Sequence, residues 1–163
     1  MSFSVFFYGT LMSSGVLGRV LCGSSSNALD RQHKLDKLEL IPCYLKGHLR
    51  SSLKGEDYPA VIKTGKETDS VLGTLCKGLT EDDVKFLDAF EGDEYERCSV
   101  TVHPIENDQE KGYDADIYIW ISDKSMLTYI EWSIQQFKSS GKESQWLDRR
   151  CEYYDVDALH VEA

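Results

Sequence analysis

The stretch Thr80-Glu81-Asp82-Asp83-Val84-Lys85-Phe86-Leu87-Asp88-Ala89-Phe90-Glu91-Gly92 carries the signals of a helix with both ends marked. Thr80 offers a hydroxyl to the first orphan amides, three carboxylates stand against the positive end of the helix dipole, and Gly92 stops a helix that runs to about Phe90. Strand patterns flank it on both sides. Upstream, Leu38 to Leu45, Tyr58 to Lys63 and Ser70 to Lys77 are strand-like runs separated by turns such as Lys54-Gly55-Glu56-Asp57 and Thr64-Gly65-Lys66. Downstream, Arg97 to His103 sets Cys98, Val100 and Val102 against Ser99 and Thr101. Ala115 to Ile121 sets Ile117, Ile119 and Ile121 against Tyr118 and Trp120. These two runs predict an antiparallel pair joined by the polar loop Asn107 to Gly112. The whole pattern predicts an α+β fold whose mostly antiparallel sheet, open or curled into a small barrel, is flanked by helices.

Towards the N-terminus, the apolar run Phe3 to Tyr8 ends at Gly9 and reads as a buried strand entering a turn. Val16, Leu17, Val20 and Leu21 then fall on one face of a short, serine-capped helix. Cys22 to Lys37, with Ser24-Ser25-Ser26-Asn27 and mixed charges, reads as a loop with at most a broken helical turn. Towards the C-terminus, Met126, Ile130, Ile134 and Phe137 predict a last helix over about Ser125 to Phe137. The tail from Lys138 to Ala163 is polar apart from Trp146, Leu147 and Tyr153-Tyr154, and reads as a short helix and an edge strand. No repeat or linker divides residues 1–163, which read as a single domain.

Composition narrows the classes of partner. The 163 residues are 41% hydrophobic with three prolines, the balance of a globular chain. Acidic residues outnumber basic ones by 28 to 18, so a phosphate backbone or an anionic membrane meets net repulsion. Cys22, Cys43, Cys76, Cys98 and Cys151 form no C-x-x-C pair and read as reduced thiols. His33, His48, His103 and His160 stand apart from one another, so no metal site is expected. The apolar stretch at the start is too short for a signal peptide or a membrane span, so a cytoplasmic location is the expectation.

Two features can carry chemistry. Val84, Leu87 and Glu91 stand at i, i+3 and i+7, which aims the Glu91 carboxylate along the line that faces the core. Desolvation there would raise its pKa towards the range of a general acid/base. The alternative is a helix-end carboxylate turned to solvent or paired with Arg97. The second feature is Tyr8-Gly9-Thr10-Leu11-Met12-Ser13, a strand end, a glycine turn and a helix start. Free N–H groups at Thr10 and Leu11 could hold a carboxylate or an oxyanion there.

Together these segments resemble a known family. Tyr8-Gly9-Thr10-Leu11, Asp57-Tyr58-Pro59-Ala60, Val71-Leu72-Gly73-Thr74-Leu75, and Leu87-Asp88-Ala89-Phe90-Glu91-Gly92 followed by Tyr95-Glu96-Arg97 are similar in order and spacing to the γ-glutamylcyclotransferase-like superfamily. Within it the chain resembles the avirulence-induced branch, and the likeness covers roughly Val5 to Trp120. The resemblance implies a curled, barrel-like sheet with a cavity mouth between the Tyr-Gly-Thr-Leu loop and the acidic helix end. It implies an acyltransferase or lyase type of reaction in which a small γ-glutamyl amide cyclises to 5-oxoproline and releases an amine or amino acid. It places the catalytic acid/base on Glu91 and substrate binding on Tyr8, Gly9, Thr10, Leu11, Met12 and Ser13, with Tyr118 carried over from a later strand, and implies no cofactor. The alternative reading is a module of the same fold that binds a γ-glutamyl or carboxylate metabolite without cleaving it. Nothing in the sequence specifies an oligomeric state.

Overall fold

In a computed structural model the described residues are 2–106, 111–148 and 151–162. Strands β1 (Phe3–Phe7), β2 (Glu39–Lys46), β5 (Ser70–Leu79), β6 (Tyr95–Pro104) and β7 (Tyr113–Trp120) form a closed barrel in the order β1-β5-β2-β6-β7. A separate two-stranded sheet pairs β3 (His48–Ser52) with β4 (Pro59–Lys63). Barrel neighbours are antiparallel except at the seam, where β1 lies parallel to β7 with Val5 opposite Asp116. The β6–β7 pairing runs from Tyr95 opposite Trp120 to Val102 opposite Tyr113, as the two alternating patterns predict. Positions 107–110 of the joining loop lie outside the described residues.

Strand alternation sorts the core into two parts. Phe6, Tyr8, Cys43, Leu45, Val71, Leu75, Val102, Ala115 and Ile117 come from one face of each barrel strand and fill its interior. Val5 and Phe7 point the other way, onto Val16, Leu17 and Val20 of α1 (Ser14–Cys22) and Val84 and Leu87 of α3 (Glu81–Glu91). Val5, Phe6 and Phe7 are consecutive apolar residues because both faces of β1 are covered there. Gly73 lies just beyond the end of the antiparallel β1–β5 pairing, where Phe7 is opposite Thr74, and a Cβ there would run into the Phe7 carbonyl oxygen and lie 2.6 Å from Phe6 Cζ. Gly73→Ala is therefore expected to destabilise by about 1–3 kcal/mol, since backbone cannot yield as a flexible side chain can. A denaturant midpoint measurement checks this, and an unchanged midpoint would show that the barrel is looser at this contact.

Three expectations are corrected. Cys22 to Lys37 is mostly helix: α2 (Ala28–Asp36) starts with a capping box in which Asn27 Oδ1 accepts from the Asp30 N–H at 2.8 Å and Asp30 reaches back to the Asn27 N–H. It buries no residue, so no apolar stripe announces it. The helix expected over Ser125 to Phe137 is instead a 3-10 turn (Lys124–Met126), an extended segment, and a short α4 (Ile134–Ser139). Edge bonds to β3 outcompete helix there. Thr128 N–H donates to the Ser52 carbonyl, Ser52 N–H to the Ile130 carbonyl, and Tyr129 N–H to Ser51 Oγ. Tyr129 adopts φ 60° and Ile130 is left 67% exposed. The tail forms α5 (Lys142–Asp148), a 3-10 turn (Cys151–Tyr153) and α6 (Tyr154–Glu162), with no strand among its described residues. No helix among the described residues is long and apolar enough to cross a membrane.

Candidate active site

The N-terminus of α3 is fixed by a reciprocal capping box: Thr80 Oγ1 accepts from the Asp83 N–H at 3.1 Å and Asp83 Oδ2 from the Thr80 N–H at 2.9 Å. Val84 and Leu87 are buried against the barrel, and their face carries Glu91 inward as the last residue of the helix. Gly92, at φ 75°, then turns the chain out, its N–H donating to the Asp88 carbonyl. Among the described residues no group hydrogen-bonds or ion-pairs with the Glu91 carboxylate, and the residue keeps some exposure through the cavity it lines. Burial, and after it the charge of Asp88, pushes its pKa up to about 8. The pairing with Arg97 that the sequence left open does not occur. Arg97 donates from Nε to Asp88 at 2.9 Å and from Nη1 to Asp116 at 2.9 Å.

A cavity of about 250 Å³ opens beside Glu91. Tyr8, Gly9, Thr10 and Leu11 form one wall. Thr10 to Met12 make a 3-10 turn, so the N–H groups of Thr10 and Leu11 have no partner within it. Gly9 is required by packing, because a Cβ there would come within 2.9 Å of Pro59 Cδ. The loop is pinned from behind by Arg50, whose Nη1 donates to the Tyr8 carbonyl at 2.8 Å. The Tyr8 hydroxyl donates to the Tyr118 carbonyl at 2.6 Å, and burial raises its pKa well above the phenol range.

Tyr118 is buried and lines the cavity, its hydroxyl donating to Asp88 Oδ1 at 2.8 Å. Burial, reinforced by that bond, raises its pKa, which keeps it a neutral phenol. The structure thus brings Tyr8, Gly9, Thr10, Leu11, Glu91 and Tyr118 to one cavity. Met12 and Ser13 do not line it. Ser13 is fully buried and caps α1 by accepting from the Val16 N–H, while Met12 packs on the core beneath.

Several lining residues have no role in the sequence reading. Tyr95 donates its hydroxyl to the Pro59 carbonyl at 2.8 Å, which joins β6 to the entry of β4 beside Tyr58. Both tyrosines stand in the quoted motifs, but nothing in their spacing marks a cavity wall. Trp146 of α5 closes the opposite side, edge-on to Phe90 and Tyr58, with its Nε1–H donating to Asp57 Oδ2 at 3.1 Å. Glu94, Glu152 and Asp155 complete the lining. A lone tryptophan in a polar tail was the available signal for the tail's part in the site. Among the described residues no group of three or more His, Cys, Asp or Glu side chains could hold a metal ion.

A family model described as gamma-glutamyl cyclotransferase, AIG2-like matches residues 5–134. AIG2-like protein A of Arabidopsis thaliana is 31% identical over 139 residues, covering 85% of this chain and 74% of that protein. A solution structure of an Arabidopsis thaliana protein superposes with a TM-score of 0.60 at 28% identity, over 90% of this chain and 87% of that one. A solved gamma-glutamyl cyclotransferase superposes with a TM-score of 0.56 over 91% of this chain and 85% of its own, at 14% identity, and shows a shared fold.

Proposed function

Because the chain belongs to the gamma-glutamyl cyclotransferase, AIG2-like family, we propose that it cyclises a small γ-glutamyl amide to 5-oxoproline with release of the amine. The observation that carries this reading is Glu91: a desolvated carboxylate, free of protein partners among the described residues, on the wall of a cavity also lined by Thr10 and Leu11, whose N–H groups have no partner within their 3-10 turn. As carboxylate, Glu91 takes a proton from the substrate's α-ammonium, and the freed nitrogen attacks the γ-carbonyl carbon. The tetrahedral intermediate collapses with cleavage of the original amide C–N bond as Glu91 returns its proton to the departing nitrogen, and the second proton shed by the new ring nitrogen passes to the released amine, which leaves as an ammonium. No water is consumed. A carboxyl titrating at about 8 is matched to both transfers near neutral pH.

Loop N–H groups at Thr10 and Leu11 would hold the developing oxyanion or the substrate carboxylate. Tyr8, Tyr95 and Tyr118 have their hydroxyls committed to protein oxygens, so their part is to shape a rigid, largely aromatic enclosure that folds the glutamyl chain into attack geometry. The intramolecular geometry supplies much of the rate, which is why one titrating residue is enough.

The lining also discriminates between leaving groups. Among the described residues it carries the acidic side chains of Glu91, Glu94 and Asp155 and no lysine, arginine or histidine. Such a field favours a departing amine that carries an ammonium over one that ends in a carboxylate. We expect kcat/KM to be about tenfold or more higher for γ-glutamyl amides of a diamine than for glutathione at low salt, with the gap narrowing as salt is raised. Mass-spectrometric detection of 5-oxoproline from a panel of γ-glutamyl amino acids, γ-glutamylamines and glutathione tests both statements. A preference for glutathione would overturn the second, and no release from any member would overturn the first.

A further inference from the structure

Asp88 stands one helical turn before Glu91, which places the two side chains on the same side of α3. Its Oδ1 accepts both from Arg97 Nε at 2.9 Å and from the Tyr118 hydroxyl at 2.8 Å. Arg97 Nη1 also holds Asp116 of β7 at 2.9 Å, so the helix end is bound to both strands of the β6–β7 pair. The Tyr118 carbonyl in turn accepts from Tyr8 at 2.6 Å. An unbroken series of bonds thus runs Arg97–Asp88–Tyr118–Tyr8 along residues that flank Glu91, and none of its members bonds to Glu91 itself.

We propose that Asp88 and Arg97 are a positioning pair for Glu91: Asp88 supplies a fixed negative charge one turn away and a seat for the Tyr118 hydroxyl, and Arg97 offsets that charge and holds it in place. This rests on the reading of Glu91 as the acid/base. The other titratable groups around Glu91 are Tyr8 at the end of β1, Tyr58 before β4, Glu94 and Tyr95 at the start of β6, Tyr118 on β7, and Glu152 and Asp155 from the tail. They are phenols or carboxylates. Among the described residues the cations bonded to this wall include Arg97 and Arg50, and Arg50 is committed to the backbone carbonyls of Tyr8 and Leu72 and to Glu131. Charge balance at Glu91 is therefore adjusted through the Asp88–Arg97 pair. Asp88 and Arg97 are 43% and 36% exposed, so solvent screens the effect and it is modest in size.

The pair acts with two signs, which separates it from a merely structural contact. In the full-length free protein, carboxyl-carbon NMR titration of Glu91 is expected to give a lower midpoint for Asp88→Asn and a higher one for Arg97→Gln. Each shift is about half a pH unit, and both shrink in about 1 M salt. Arg97→Lys, which keeps the charge, should stay near the wild-type midpoint. If turnover is present, the acid limb of kcat/KM moves with these midpoints. Midpoints that stay put, or that move in the same direction in Asp88→Asn and Arg97→Gln, would overturn the proposal. The titration needs no turnover, so a wild-type protein that releases no 5-oxoproline would contradict the cyclotransferase reading while leaving the charge coupling to be judged on its own. A collapsed near-ultraviolet spectrum in Arg97→Gln would transfer the test to Asp88→Asn and Arg97→Lys, whose midpoints should still differ.

Discussion

Glu91→Gln is expected to lower 5-oxoproline release by about 10²–10⁴-fold, the range that a positioned proton-transfer group contributes. Glutamine keeps the shape and polarity of the side chain but cannot take the proton of the substrate ammonium. The neighbouring phenols are not placed to substitute: the Tyr8, Tyr95 and Tyr118 hydroxyls donate to protein oxygens, and burial raises the pKa of all three. Substrate affinity should change much less than kcat, because the loop and the aromatic wall are untouched. Retention of ligand by both proteins with release by neither would favour the non-catalytic binding module.

The same substitution should alter stability in a pH-dependent way. The Glu91 carboxyl titrates at about 8 in the folded chain against an ordinary value of 4.5. Between those values the native state holds a proton that the unfolded state has released, so wild-type stability falls as pH rises through that window. Glutamine has no such dependence. The variant should match or fall slightly below wild type under acid conditions and gain on it up to about pH 8, by an amount on the order of 1–3 kcal/mol. Denaturant titrations at pH 4.5, 6 and 8 measure the trend. A variant that loses ground as pH rises would show that Glu91 is stabilised as a carboxylate and would remove the basis for its raised pKa.

Trp146→Ala is expected to cost about 3–5 kcal/mol, the largest stability effect of any substitution considered. Trp146 is 2% exposed and sits edge-on to three rings, Phe90, Tyr58 and Phe137, while its indole N–H reaches Asp57. Asp57 also accepts from Lys142, and its carbonyl accepts from Trp132. Truncation therefore unseats α5 from the segment that enters β4, from α4 and from the helix that carries Glu91. Thermal melting should fall by about 6–20 °C, and KM should rise because a wall of the cavity is lost. Trp146→Phe, which keeps most of the ring contacts and drops only the N–H, should recover most of the stability. A loss below about 1 kcal/mol for Trp146→Ala would mean that the tail is not packed as described.

What could be read from the sequence follows from where each segment buries its side chains. The β6–β7 pair was legible because each strand keeps one covered face, and the alternation survives translation into residue types. The inward direction of Glu91 was legible because Val84 and Leu87 fix the buried line of α3. By contrast α2 was invisible: it has no fully buried residue, only Leu35 packing part-buried on the core among its apolar side chains, and its Asn27–Asp30 cap is a less familiar pair than Ser or Thr with Glu. The segment from Met126 to Trp132 misled for the opposite reason. Its apolar residues have helical spacing, yet the Ser51 hydroxyl and the Ser52 backbone supply hydrogen-bond partners that only the tertiary structure reveals. The cavity was half legible. Tyr8 to Leu11 and Glu91 belong to local motifs, whereas Trp146, Glu152 and Asp155 reach the site from a tail with no periodicity to announce it. Ser13 illustrates the limit of reading a polar residue in a turn: its hydroxyl is fully engaged in capping α1.

The central claim, that the cavity converts a γ-glutamyl amide by internal attack rather than by hydrolysis, is tested most directly by running the reaction in water enriched in oxygen-18 and weighing the product. The expected product is 5-oxoproline without added label, released by wild type and lost in Glu91→Gln. Labelled glutamate as the first product would contradict it, because it would mean that water, and not the substrate's own nitrogen, attacks the γ-carbonyl.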